Sequence, residues 1–184
     1  MTLQLETKRL LLRPWREADA AKLYEYAKDP RIGPVTGFPP HTSVENSRQI
    51  IQGVLSAANM FAVVLKDTGE PVGSIGLTVG SGSHLHLSPD EGEIGYWIGV
   101  PYWGRGLIPE AIRALLRYGF EDLHLTTIWC GYFEGNEKSR RAQEKCGFRY
   151  HNTNRNIVWK LMNDIRTEHV TCLTKEAWGN SRMI

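Results

Sequence analysis

The chain has 184 residues, 41% of them hydrophobic and 23% charged, with a formal net charge of +2. Such a balance excludes a disordered chain, and this length buries enough surface for one domain spanning 1–184 without disulfide or metal staples. No apolar run approaches the ~18 residues that cross a bilayer, no basic region followed by an apolar stretch opens the chain, and three widely spaced cysteines form neither a disulfide framework nor a zinc pattern.

The expectation is a cytoplasmic protein with reduced cysteines, no membrane contact and no metal. In chain order, Arg9–Arg13 predicts a strand ended by Pro14. Residues 17–28 carry a helical face of Ala20, Leu23, Tyr24 and Ala27, stopped near Pro30. A loop rich in Pro and Gly follows over 29–41. Thr42 and Glu45 then predict a capping box for a second helix. Met60–Leu65 and Val72–Val79 predict a hairpin around the turn 66–71. Glu93–Val100 predicts a strand, with Gly95 and Gly99 marking a bulge or a close approach. The clearest helix runs from Leu107 to Phe120, where Pro109 fits only the first turn. Thr126–Phe133 predicts a strand, and Asn136–Cys146 a polar helix closed by Gly147. Phe148–His151 and Glu168–Thr174 predict two last strands around a longer connection. This order predicts one mixed α/β layer structure.

Charge is uneven along the chain. Residues 1–92 hold nine Lys/Arg and ten Asp/Glu, and residues 93–184 hold thirteen and ten. Lys138, Arg140, Arg141, Lys145 and Arg149 cluster against the single acid Glu144. The cluster suits a small anion or a solvated face, and it is too short for the basic stripe that nucleic acid requires.

Two segments carry the chemistry. In the first, Trp103-Gly104-Arg105-Gly106 joins the strand ending near Val100 to the helix from Leu107. Glycines let a ligand approach the backbone, and a helix start offers free N–H groups to an anion. Pro109 rules out a dinucleotide fingerprint, and a Walker A lysine is absent. In the second, Asn136 and Ser139 share one face of a helix start. There they could hold an amide and a thiol, or Asn136 could act only as a cap.

Together these segments resemble the GNAT N-acetyltransferase superfamily, in particular its RimJ/RimL-like branch of ribosomal-protein N-terminal acetyltransferases. The resemblance begins at Leu5-Glu6-Thr7-Lys8-Arg9-Leu10-Leu11-Leu12-Arg13-Pro14. It continues through Gly92-Glu93-Ile94-Gly95-Tyr96-Trp97-Ile98, Trp103–Gly106, Glu110-Ala111 and 136–148, and ends at Leu173–Trp178. It implies a mostly antiparallel mixed sheet with flanking helices and splayed fourth and fifth strands. It also implies acetyl-CoA as co-substrate, an amine acceptor (a protein N-terminus or a small molecule) and a homodimer. The pantetheine arm would lie along Ile98, Gly99 and Val100. The pyrophosphate would lie on Trp103, Gly104, Arg105, Gly106, Leu107 and Ile108, with Arg105 and Arg140 or Arg141 supplying charge. Asn136 would bond the pantetheine region, and Ser139 would lie near the sulfur. Where many members carry a tyrosine acid, this chain has Gln143, so Ser139, Tyr132 or water must serve.

Acetyl transfer to an amine needs a proton acceptor, a donor for the carbonyl oxygen and a stabilised thiolate. Glu93, entering the strand end, is the base candidate; the other reading is a strand-edge acid. Ser139 is the second catalytic candidate. His84 and His86 lack a third ligand nearby, which argues against a metal. The loop 29–41 is a candidate acceptor wall. Two alternatives to an enzyme stay open: a non-catalytic CoA-binding scaffold, and a ribosome-associated protein using the basic cluster.

Overall fold

The computed structural model describes residues 3–181. Its strands are β1 (Leu5–Glu6), β2 (Leu10–Arg13), β3 (Met60–Leu65), β4 (Pro71–Val79), β5 (Glu91–Ile98), β6 (Thr127–Phe133), β7 (Arg149–Trp159) and β8 (Asp164–Thr174). Its helices are α1 (Ala20–Ala27), α2 (Gly33–Thr36), α3 (Val44–Gln52), α4 (Leu107–Arg117), α5 (Glu137–Lys145) and α6 (Lys175–Ser181). The strands form one sheet in the order β1-β2-β3-β4-β5-β6-β8-β7. Only β5 and β6 pair in parallel; every other pairing is antiparallel. No helix among the described residues is long and apolar enough to cross a membrane.

β3 shows why the sheet is covered on both faces. Successive side chains of a strand point to opposite sides. Phe61 and Val63 join the core under α4, whereas Ala62 and Val64 join the core under α1 and α3. The α4 stripe is fully apolar on its inner side: Leu107, Ile108, Ala111, Ile112, Leu115 and Leu116 are all buried. The helix then widens into a π-helical turn over Tyr118–Asp122, which buries Phe120.

The functional opening comes from β5 and β6. They pair from Glu91↔Thr127 to Ile94↔Cys130 and no further. Beyond that point β5 stays on β4 to Ile98↔Gly73, and β6 stays on β8 to Phe133↔Glu168. Each strand therefore turns an unpaired backbone edge toward a V-shaped gap. Leaving out the two-residue β1, these are the fourth and fifth strands.

Several local expectations need correction. The loop 29–41 contains α2, whose four residues are too few to show a period. The cap of α3 is Ser43, not Thr42: Ser43 Oγ accepts from Asn46 N at 2.9 Å, and Thr42 N donates to Asn46 Oδ1. The β4–β5 register is unbroken, so β5 carries no bulge at Gly95, while the alternative expectation of a close approach holds at Gly99, just past β5, where the Tyr26 ring leaves no room for a Cβ. The expected connection around 152–167 is instead the body of the β7–β8 hairpin. Its polar, solvent-facing residues hide the strand alternation.

Candidate active site

The gap between β5 and β6 continues into a cleft of about 370 Å³. One wall is the loop before α4. Gly104 (φ +74°) and Gly106 (φ +73°) sit in the left-handed region, where glycine alone is unstrained. Gly106 is the N-cap of α4 and no side chain caps that end. The first amides of the helix thus face the cleft mouth as free donors. Trp103 is anchored by its Nε1, which donates to Ile98 O at 3.0 Å. Lys138 Nζ lies 4.4 Å from the Trp103 ring centroid, a cation–π contact.

The loop is held from behind by the start of the chain. Arg9 donates to Glu110 Oε2 (2.7 Å) and to Arg105 O (2.9 Å), and Thr7 Oγ1 donates to Glu110 Oε1 (2.6 Å). Glu110 is therefore spent on the clamp, although an acid in the first turn is otherwise free to favour the helix dipole. The opening segment and the Glu110-Ala111 pair, 101 residues apart, are one structural device.

At the floor of the gap, Tyr96 Oη and Ser139 Oγ lie 2.8 Å apart. Gln143 is fully buried and donates from Nε2 to Gly131 O (3.0 Å) and to Ser139 Oγ (3.1 Å). Its Oε1 accepts from Thr171 Oγ1 at 2.8 Å. This glutamine therefore sets the position of the serine. Burial pushes the Tyr96 phenol well above its ordinary range, so it remains protonated. Asn136 caps α5: its Oδ1 accepts from Ser139 N at 3.2 Å, which fixes the backbone that carries the serine.

A side chamber of about 110 Å³ adjoins this floor and shares Tyr96, Asn136 and Ser139 with it. Here His84 bridges two acids. Its Nε2 is 2.9 Å from Glu168 Oε1, and its Nδ1 is 3.4 Å from Glu93 Oε2. Ser83 Oγ donates to Glu93 Oε2 at 2.6 Å. The hydrogen bond to Glu168 first, then that to Glu93, pushes the His84 pKa up to about 10. Glu168 is 3% exposed, and its Oε2 has no hydrogen-bond partner among the described residues. An unmet buried polar group costs about 1–3 kcal/mol, and more when charged.

The His84 bridge has a pH signature. A histidine whose pKa is raised on folding stabilises the native state fully below its unfolded pKa, near 6.5, and loses that contribution as pH rises through about 10. His84→Gln is therefore expected to be less stable than the wild type at pH 6, with the gap narrowing toward pH 10. Urea unfolding midpoints at both values check this; a constant gap contradicts it.

Comparison with known proteins gives the family. Residues 9–149 match the model of the acetyltransferase (GNAT) domain. The chain belongs to the GNAT family. It is 33% identical over 129 residues to the N-acetyltransferase p20 of Bacillus licheniformis, covering 67% of this chain and 70% of that one. Over a shorter stretch of 56 residues it is 46% identical to YdaF of Bacillus subtilis, covering 30% of this chain and 31% of that one; the name of YdaF assigns it provisionally to ribosomal N-acetylation. A GNAT-family acetyltransferase structure from Bacillus anthracis superposes with a TM-score of 0.79 at 25% identity, over 95% of this chain and 99% of that one.

Of the residues expected to meet a GNAT cofactor, Ile98, Trp103, Gly104, Gly106, Leu107, Ile108, Asn136, Ser139 and Arg141 line the main cleft. Gly99, Val100 and Arg105 do not line it. A Cβ on Gly99 would sit 2.8 Å from the Tyr26 ring, so that glycine admits an aromatic neighbour rather than opening the cleft. The Arg105 guanidinium lies over the Tyr102 ring, and Arg140 pairs with Glu137. Arg141, Lys138 and Lys145 bring the positive charge instead. Glu93 lines the side chamber with His84, Glu168 and Tyr132, whose ring also packs on His169. Tyr96 carried no catalytic expectation; it and its neighbour Trp97 both line the cleft. Glu168 and the bridging role of His84 gave no sequence signal, because His84 and Glu168 lie 84 positions apart and Glu93, nine positions after His84, sits on a strand while His84 sits in a loop.

Proposed function

We propose that this chain is an acetyl-CoA-dependent N-acetyltransferase of the RimJ/RimL-like branch, moving an acetyl group to a primary amine by direct attack in a ternary complex. The acceptor is a protein N-terminal amine or a small-molecule amine. The reading rests chiefly on the hydrogen-bonded Tyr96–Ser139–Gln143 group at the floor of a gap whose mouth is the uncapped start of α4. Two positive-φ glycines with open space beside one of them and three cationic side chains fit a pyrophosphate ligand.

Bound acetyl-CoA supplies a thioester-activated acetyl group. The chain does the rest. Backbone donors on the free edge of β5 meet the carbonyl oxygen as charge develops on it. Glu93 takes one proton from the attacking nitrogen. Ser139 Oγ donates a hydrogen bond to the departing sulfur, which leaves as a thiolate and takes its proton from solvent, while Tyr96 stays protonated beside Ser139. Gln143 holds Ser139 in line for that hydrogen bond.

Acetyl-CoA at a hundredfold excess over its Kd is expected to stabilise the fold by roughly 2.7 kcal/mol, as mass action requires. NADH and ATP are expected to do far less. A melting temperature unmoved by acetyl-CoA would remove the cofactor assignment.

A further inference from the structure

The hydrogen bonds around Gln143 can run in one direction only. Gly131 O can only accept, so the amide nitrogen of Gln143 must face it, and Oε1 must face away. Gln143 is fully buried, so that oxygen has to find its donor inside the protein. Thr171 supplies the donor: its Oγ1 lies 2.8 Å from Gln143 Oε1. The same hydroxyl lies 3.2 Å from Cys130 O, a second group that can only accept. With an acceptor on each side, the Thr171 hydroxyl gives its proton and receives none from them.

Thr171 is buried and lines neither the main cleft nor the side chamber. It touches no ligand there and acts only through a neighbour. Its place in the sheet gives it leverage. Thr171 on β8 is paired with Cys130 on β6, and Ile94↔Cys130 is the last rung that joins β5 to β6. The threonine therefore stands level with the point where the gap opens.

The effect falls on Ser139. Gln143 Nε2 donates to Ser139 Oγ at 3.1 Å, and Tyr96 Oη lies 2.8 Å from the same oxygen. When both donate, the lone pairs of Ser139 Oγ are filled, and its own proton is left for the cleft that Ser139 lines. Turning the amide over reverses this. Oε1 would then face Ser139 Oγ, accept its proton and withdraw it from the cleft. Without the Thr171 hydroxyl, Oε1 in its present place would be a buried acceptor with no donor, which favours that turn.

We infer that Thr171 is a positioning residue: it holds the Gln143 amide so that the Ser139 proton points at the sulfur. The inference rests on the acetyltransferase reading and adds to it the group that aims the serine.

The test compares Thr171→Val, which keeps the branched shape and loses the hydroxyl, with Thr171→Ser, which keeps the hydroxyl. Three measurements are made on the full chain. The first, without ligand, follows the Gln143 side-chain amide by heteronuclear NMR. Its proton signals are expected to exchange slowly with solvent in the wild type, to shift and exchange faster in Thr171→Val, and to return toward wild type in Thr171→Ser. The second titrates the thiol of bound CoA by thiolate absorbance. Thr171→Val is expected to raise the pKa of that thiol, as Ser139→Ala does, and Thr171→Ser to restore it. The third is turnover with acetyl-CoA and a primary amine. Thr171→Val is expected to lower kcat by about 10- to 100-fold, as small misplacements behind a reacting group do, with little change in the acetyl-CoA KM. Added to Ser139→Ala, the same substitution is expected to cost little more, because the route to the sulfur is already cut. A wild-type Gln143 amide that exchanges as fast as an exposed glutamine overturns the inference, and that comparison needs no variant. So do unchanged amide signals in Thr171→Val, a full further loss in the double variant, or an equal defect in Thr171→Ser, which would make Thr171 a packing residue. Failure of the acetyltransferase reading looks different: the amide responds as described, yet CoA does not bind or no acetyl group moves to any amine.

Discussion

Replacing Glu93 with glutamine is expected to lower kcat by roughly 10²–10⁴-fold, the usual worth of a positioned base. The carboxylate accepts from Ser83 and faces His84, so its orientation is fixed before substrate arrives. Acetyl-CoA affinity should change little, because Glu93 lines the side chamber and not the main cleft. The loss should shrink at high pH, where more of the acceptor is already neutral. Ser139→Ala removes the donor to the sulfur, so raising pH should not rescue it. Steady-state pH profiles of the two variants, side by side, make the comparison. A Glu93→Gln enzyme with near wild-type turnover at every pH would reduce Glu93 to an acid that merely anchors His84.

Gly106→Val is expected to abolish measurable acetyl-CoA binding while the protein stays folded. Gly106 has φ +73° at the N-cap of α4, where a β-branched residue carries strain of about 1–3 kcal/mol. The nearest heavy atom to an added Cβ is an Arg9 guanidinium nitrogen at 3.7 Å, an ordinary contact. The protein itself therefore leaves room, and the damage falls on the ligand side and on the loop conformation. Gly104→Val should behave alike, since its φ is +74° and nothing lies within 4 Å of its Cβ. Thermal unfolding with and without acetyl-CoA separates the two effects. A folded variant that keeps the full ligand-induced shift would show the loop to be only a turn.

What the sequence revealed, and what it withheld, divides along the range of the interactions. The α4 stripe and the buried β3 run are local periodicities, and they read directly. The Gly104–Gly106 loop and the Asn136–Ser139 spacing are local too, and both line one cleft. The β7–β8 hairpin was half hidden, because the run from Asn152 to Asn156 is polar and faces water. The clamp of Thr7 and Arg9 on Glu110 joins residues about 100 positions apart, so the opening segment reads as a resemblance without a visible reason. The side chamber was least legible. His84 sits in an aperiodic loop, Glu93 on β5 and Glu168 on β8, and only the sheet order brings them together. Gln143 illustrates a different limit. Its chemistry excludes it as an acid, but nothing local foretells that it is fully buried and holds Ser139 and Gly131.

The central claim is that this chain moves an acetyl group from acetyl-CoA to an amine. The direct measurement is release of the CoA thiol with time, in the presence of a panel of primary amines, with product masses recorded. The account predicts thiol release that depends on the amine, a product heavier by one acetyl group on nitrogen, and near loss of both in Glu93→Gln. Thiol release that proceeds equally without any amine, or tight acetyl-CoA binding with no acetylated product across the panel, would contradict it.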